Sequence, residues 1–230
     1  MNKKELETRL IESNVKNITD NDNFYKVVYR DDNIHGLVTL DYMQGIDDEY
    51  DNPLNWDNGV WNININASFD ELVKLFGDYV NDIYDKHSNM ADFFTHVENY
   101  LDKKGYIIVP IGCYEHGMSR YFVGVGTDFD YSTTGYAYAK KDDIKRVYNV
   151  ARISSKVKHD VYTMLDGIME TYTDYCNGQV FTLNAYDTLT GEHVDSLCSL
   201  YNVDDYVDDY ASEMIAELKD NAKKSVEKVK

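Results

Sequence analysis

A thiol and an imidazole stand three residues apart in the segment Cys113-Tyr114-Glu115-His116. Cysteine becomes a nucleophile when a neighbouring base or cation stabilises its thiolate. Together with Ser132 further along, Tyr114, Glu115 and His116 are therefore the candidate residues of a small enzyme or ligand-binding domain. A buried thiol near the end of a strand explains the same residues without any chemistry. The sequence leaves both interpretations open.

Metal and phosphate binding are the next chemistries to consider. A zinc site needs four ligands, and the chain has neither an HExxH motif nor paired CxxC motifs. The cluster 47–51 offers carboxylates to calcium but lacks the glycine and the closing glutamate of the known calcium loop. Gly124-Val125-Gly126 lacks the remaining residues of a phosphate-binding loop. The sequence therefore predicts no metal and no cofactor.

Carboxylates next to tyrosines are the most frequent potentially functional pattern. The chain has 21 tyrosines, and six of them directly follow an aspartate. In a helix or a strand the two side chains point in different directions, so the ring can be buried while the acid stays in water. In a loop such as Glu49-Tyr50-Asp51 both can be exposed. An exposed ring can stack on an arginine while the neighbouring acid pairs with it.

Acidic residues are concentrated in two parts of the chain, which has a net charge of -18. Residues 31–73 hold ten acids and residues 159–218 hold thirteen, and neither tract has a Lys or Arg. The rest of the chain is net positive by five. Eighteen charges correspond to about 30 Å of duplex DNA, while a compact chain of this length is about 45 Å across. The tracts serve either solubility or recognition of a basic partner, and direct binding to nucleic acid is not expected.

Hydrophobic periodicity predicts both helices and strands. Ser68 to Glu71 matches a capping box, which predicts the start of a helix. The predicted helices are 3–14, 69–83, 90–103, 142–150, 154–177 and a last one from about 204. The predicted strands are 24–30, 35–42, 60–66, 106–112, 120–125, 134–139, 180–187 and 193–201. Pro110 is expected to place its strand at an edge or next to a bulge.

Helices and strands come in clusters and do not alternate strictly. This order is typical of an α+β fold, with a largely antiparallel sheet packed against several helices. A chain of 230 residues with 43% hydrophobic residues can bury one sizeable core. We therefore predict a single unit, 1–230, and leave open a division near Gly105 into 1–104 and 105–230.

The cellular compartment is predicted from what the sequence lacks. The three cysteines are an odd number and form no CxxC motif, which fits a reducing cytosol. The first residues lead into a charged amphipathic segment, which predicts no signal peptide. No apolar run approaches the roughly 18 residues needed to cross a bilayer. We therefore expect a cytoplasmic protein without a membrane partner.

Several short motifs follow one another along the chain, together with an apolar strand that starts at Tyr106. They are Pro53–Asn58, Tyr114–Gly117, Gly135–Tyr138, Tyr172–Gly178 and Gly191–Ser196. In these motifs the chain resembles an uncharacterised family carried by phages, plasmids and conjugative elements of Gram-positive bacteria. It departs from the family at 131–135, where a Trp-Asp-Ser-Gly motif is usual, so a site built on that Trp-Asp is not carried over. The resemblance implies a mobile element, where acidic proteins of this size look like nucleic-acid mimics that inhibit restriction or CRISPR nucleases.

Charge and resemblance together lead to one functional expectation. We expect an acidic mobile-element protein that binds and inhibits a basic, nucleic-acid-handling host protein, such as a CRISPR or restriction nuclease, in the bacterial cytoplasm. The alternatives are the small enzyme or ligand-binding domain described above and a host-factor adaptor whose acids serve only solubility. The residues expected to face the partner are Asp47, Asp48, Glu49, Tyr50, Asp51, Asp204, Asp205, Asp208 and Asp209.

Overall fold

The computed structural model describes residues 2–66 and 69–228. These residues form seven α-helices and eight strands in two antiparallel sheets, which confirms the predicted α+β class. The helices are α1 Lys3–Thr19, α2 Phe69–Phe76, α3 Tyr79–Tyr84, α4 Met90–Lys103, α5 Lys141–Val147, α6 Ser155–Cys176 and α7 Val203–Lys228. The strands are β1 Phe24–Asp31, β2 Gly36–Tyr42, β3 Asn62–Ile65, β4 Tyr106–Glu115, β5 Ser119–Val123, β6 Tyr131–Lys140, β7 Phe181–Asp187 and β8 His193–Leu200.

The chain forms two compact units, and one is inserted into the other. The first consists of Met1–Asp51 and Gly178–Lys230, and the second of Asn52–Asn177. The boundaries therefore lie near residues 51 and 177, whereas the sequence analysis predicted a single unit, 1–230, and left open a division near Gly105. Gly105 lies inside the second unit because the residues before and after it share one core cluster, in which Leu101 of α4 lies with Ile108 of β4.

The first unit is a four-stranded sheet in the order β1-β2-β7-β8, with a helix on each face. β2 and β7 pair without interruption from Gly36 opposite Asp187 to Tyr42 opposite Phe181, although the second unit separates them in sequence. Successive strand residues point to opposite faces of a sheet. Val38 accordingly belongs to the core that α7 covers, while Leu37 packs with α1.

The second unit is also a four-stranded sheet with helices on both faces, in the order β3-β6-β4-β5. Ile108 of β4 packs with α4, and Val109 packs with α6 on the other face. Burial on both faces explains why this strand is apolar throughout. Pro110 lies just before the stretch that pairs with β5, and a register shift follows between Ile111 and Gly112. The missing donor of the proline is therefore tolerated inside the sheet, next to a bulge.

The helix predicted over 69–83 is two helices, α2 and α3. Gly77 separates them with a φ of 90°, a left-handed conformation that glycine adopts readily and that ends a helix. The apolar periodicity continues across the break because both helices contribute to one core, in which Leu72 lies with Val80 and Ile83. Ser68 of the predicted capping box lies outside the described residues.

Candidate functional site

The acidic loop that follows β2 is folded into a tight turn. The N–H groups of Tyr50 and Asp51 donate to the carbonyl oxygen of Asp47, at 3.2 and 2.8 Å. The carboxylate of Asp47 accepts from the N–H of Glu49 at 2.8 Å. An aspartate that binds the main chain two residues further on stabilises such turns. The side chains from Asp47 to Tyr50 are all exposed, Tyr50 by 71%.

Asp51 ends this loop and is only 4% exposed. Its carboxylate accepts hydrogen bonds from the N–H of Asp47 at 2.7 Å and from the hydroxyl of Ser199 at 2.5 Å. The hydroxyl of Tyr201 donates to the carbonyl oxygen of Asp51, also at 2.5 Å. A carboxylate enclosed in this way does not reach a partner, which corrects the expectation for Asp51. Asp51 fastens the acidic loop to Ser199 at the end of β8 and to Tyr201 just after it.

This attachment brings together two acidic segments that are far apart in sequence. Ser199 and Tyr201 lie 148 and 150 residues after Asp51 and immediately precede α7. The first turn of α7 carries Asp204 and Asp205. The exposed part of the loop and the start of α7 are therefore held on the same unit by one buried carboxylate. We call the exposed side chains of 47–50, with the acids of α7 from 204 to 217, the acidic face.

Helix α7 separates apolar and acidic side chains on its surface. Its buried residues Ala211, Met214 and Leu218 pack on the sheet at helical spacing. Asp204 lies 3.5 Å from Lys26, but its side chain is 83% exposed, so the pair contributes at most about 1 kcal/mol. Among the described residues, none of the ion pairs includes the other exposed acids of the first turns. These are Asp205, Asp208 and Asp209.

Carboxylates recur along α7 at intervals of one to four residues. Six acids lie between positions 204 and 217, a span of about 20 Å at 1.5 Å per residue. This gives one negative charge per about 3.3 Å, close to the 3.4 Å per charge of one DNA strand. Tyr206, on the same stretch, is 51% exposed and lies 6.3 Å from the ring of Tyr210. An exposed ring between acids can stack on a guanidinium group.

The alternative candidate residues lie in the second unit, at the end of the β4–β5 hairpin. Tyr114 packs against Tyr131 with ring centroids 4.8 Å apart, and Ser132 is one residue further along β6. Glu115, His116 and Ser132 are exposed. Within the described residues, none of the hydrogen bonds joins these three side chains, although a nucleophile and its base need such contact. The fold places Tyr114 and Ser132 on the paired strands β4 and β6, with Glu115 at the end of β4 and His116 in the turn that follows.

The sequence analysis missed a buried polar cluster in the first unit. Asp41, counted among the acids of the first tract, is 4% exposed. Its carboxylate accepts hydrogen bonds from Thr39 at 2.8 Å and from the amide of Asn184 at 2.7 Å. Thr39 and Asn184 lie opposite each other in β2 and β7, so the cluster connects the two strands on either side of the insertion. No sequence signal marks it, because the strands that meet are distant in the chain.

Metal ligands and membrane spans can be checked directly against the structure. In residues 2–66 and 69–228, no group of three or more His, Cys, Asp or Glu side chains could hold a metal ion. None of the helices in these ranges is long and apolar enough to cross a bilayer. The acidic face is thus characterised by the charge and the exposure of its side chains.

Comparison with known proteins assigns no family to this geometry. The chain matches no family model, no curated protein and no solved structure. The resemblance to proteins of phages and conjugative elements stays a prediction that rests on the short motifs. Function has to be argued from the acidic face itself.

Proposed function

We propose that the chain binds a basic, nucleic-acid-handling protein through the acidic face and inhibits it by occupying the surface that nucleic acid would use. In the mobile-element context suggested by the motifs, a CRISPR or restriction nuclease of the bacterial host fits this description. The observation that carries the proposal is the hydrogen bonding of Asp51 to Asp47 and Ser199, which joins two exposed acidic segments on one unit.

The charge density of α7 supports a partner that normally binds phosphates. A groove lined with Lys and Arg, spaced for one strand of nucleic acid, would meet carboxylates at nearly the same average interval along the helix. The exposed Tyr50 and Tyr206 add flat surfaces for stacking with arginine. Lysine, a compact point charge, lacks the planar group with which arginine stacks on a ring.

The mutual repulsion of these acids also favours a basic partner. Like charges destabilise a compact state, and the stretch from 159 to 218 contains no Lys or Arg to offset them. The helix dipole stabilises only the first turn, by about 0.3–1 kcal/mol per acid. Asp208 and Asp209 lie beyond that turn. A cationic groove would relieve the remaining repulsion on binding.

The proposal is tested by competition between the chain and DNA for a purified nuclease. Fluorescence anisotropy of labelled DNA bound to the enzyme measures how much chain is needed to displace it, at several salt concentrations. The test variant replaces Asp205, Asp208 and Asp209 by asparagine. The matched control replaces Asp82, Asp128 and Asp130 of the second unit by asparagine, which makes the same change in net charge. These three residues are also exposed.

Displacing the DNA should take at least about ten times more of the test variant than of the unchanged chain. For the control the increase should be less than about twofold. Displacement by the unchanged chain should weaken steeply as salt rises, because exposed charges are screened. Equal effects of the two variants would mean that only total charge matters, and the acidic face would then have no specific role. Displacement that is insensitive to salt would also contradict the proposal.

A further inference from the structure

The second unit contains a cavity of about 410 Å³ that is lined by basic side chains, although the chain as a whole is strongly acidic. Pockets for small ligands typically start at about 300 Å³. Four cations from three elements line this cavity: Lys141 and Lys145 of α5, Arg152 of the α5–α6 connection, and Lys158 of α6. Carboxylates reach the same cavity from α4, through Glu98 and Asp102.

The ion pairs around the cavity leave part of its positive charge uncompensated. Lys141 is held by Asp102, with a distance of 2.6 Å between ammonium and carboxylate. Lys158 lies 3.9 Å from Glu98, a loose contact. Arg152 forms no ion pair with any carboxylate of the described residues. Lys145 is paired with Asp142 at 2.9 Å. The four cations and the three acids paired with them leave a net charge of about one positive unit at the cavity, that of Arg152.

The surrounding chain strengthens this field. Residues 140–158 carry seven Lys or Arg and only two acids. Helix α6 begins beside the cavity, since Ile153 and Lys158 line it on either side of the N-cap residue Ser154. Its first turn contains no acid, and the N-terminus of a helix attracts anions. The charge of the lining and the nearby start of α6 therefore both favour an anion here.

One wall of the cavity is apolar and suits a flat ligand body. Tyr106 and Ile107 at the start of β4 line it, together with Ile153. Ile107 is buried and Ile153 half-buried, and they place aliphatic carbon beside the cations, whereas the ring of Tyr106 packs against Phe76 on the other face of the sheet. We propose that this cavity binds a small phosphorylated molecule of the nucleotide class, with its phosphates on Arg152 and Lys158 and its base against the apolar wall. The site is separate from the acidic face of the first unit.

Isothermal titration of the full chain with ADP at low salt tests the proposal, with pyrophosphate as the ligand that lacks the base. Arg152→Gln removes the cation without an ion pair, and Arg146→Gln is the matched control. Arg146 lies in the same basic segment, pairs with Asp143 at 3.1 Å and does not line the cavity. The melting temperature of each variant checks that it folds.

We expect ADP to bind, and Arg152→Gln to weaken it by at least about tenfold, the loss of one charge-assisted contact. Arg146→Gln should change the affinity by less than about twofold, and pyrophosphate should bind more weakly than ADP. The proposal is overturned if millimolar ADP does not bind or if both arginine variants weaken binding equally. Pyrophosphate binding as tight as ADP would exclude the nucleotide class. A single-stranded oligonucleotide that binds more tightly than ADP would show a nucleic-acid surface instead.

Discussion

Replacing Asp51 by alanine should destabilise the first unit more than the loss of any exposed acid. The substitution removes two acceptors, and it leaves the Asp47 N–H without a partner and the Ser199 hydroxyl with only the sulfur of Met43, 3.8 Å away. Hydrogen bonds to a charged group contribute about 1.5–3 kcal/mol each. The Asp47 side of the turn is exposed, so water can replace one of them. We therefore expect a loss of about 2–4 kcal/mol in the free energy of unfolding.

Two further variants separate the role of the hydrogen bonds from that of the charge. Asp51→Asn keeps one acceptor oxygen for Asp47 and offers an N–H to the Ser199 oxygen, so it should cost only about 1 kcal/mol. Ser199→Ala removes a single contact and should lie between the two Asp51 variants. Asp208→Ala, at an exposed position of α7, is the control and should stay within about 0.5 kcal/mol.

Urea unfolding followed by circular dichroism measures these differences. At a slope of about 2 kcal/mol per molar urea, Asp51→Ala should lower the midpoint by about 1–2 M. If Asp51→Ala lowers the midpoint no more than Asp208→Ala does, Asp51 does not anchor the loop. The acidic face would then lack the attachment on which the proposed function rests.

Two other predictions follow from close contacts and from burial. A Cβ atom at Gly135 would lie 2.1 Å from the carbonyl oxygen of Asn64 in the paired strand, so Gly135→Ala should destabilise the second unit by about 2–4 kcal/mol in urea unfolding. Gly167 lies in the interior of α6 with open space around it. Gly167→Ala should therefore stabilise the second unit by about 0.5–1 kcal/mol. If both substitutions stabilise the unit, or both destabilise it, the reasoning is refuted. Burial raises the pKa of the Cys113 thiol, and the residue is 2% exposed, whereas Cys198 is exposed. Iodoacetamide at pH 8 should therefore alkylate Cys198 well before Cys113, as peptide mass spectrometry would show, and equal rates would contradict the burial of Cys113.

The helices and strands were largely predictable because their signals are local. The α6 helix was expected over 154–177 and runs from Ser155 to Cys176. The α1 helix continues to Thr19, beyond the expected end at 14, because Val15 is buried in the core of the first unit. Gly77 shows where periodicity misleads, since two helices on one core share a single hydrophobic pattern.

The candidate site was predictable only in its charges. The exposed acids at 47–49 and 204–209 were recognised from composition, and the structure places both groups on the first unit. Asp41 and Asp51 could not be told apart from these exposed acids, because the residues next to an aspartate do not show whether the fold will bury it. Each has one hydrogen-bond partner more than 140 residues away, Asn184 for Asp41 and Ser199 for Asp51.

The sequence by itself determined the segregation of charge, the class of fold and the positions of most secondary-structure elements, because these depend on residue type and on neighbours within a few positions. Only the tertiary structure decided that the second unit is inserted between β2 and β7, that Asp51 joins the acidic loop to the end of β8, just before α7, and that Arg152 and Lys158 line one cavity. Each of these depends on pairing between distant segments, which is fixed by the packing of whole sheets and helices and leaves no mark in local sequence.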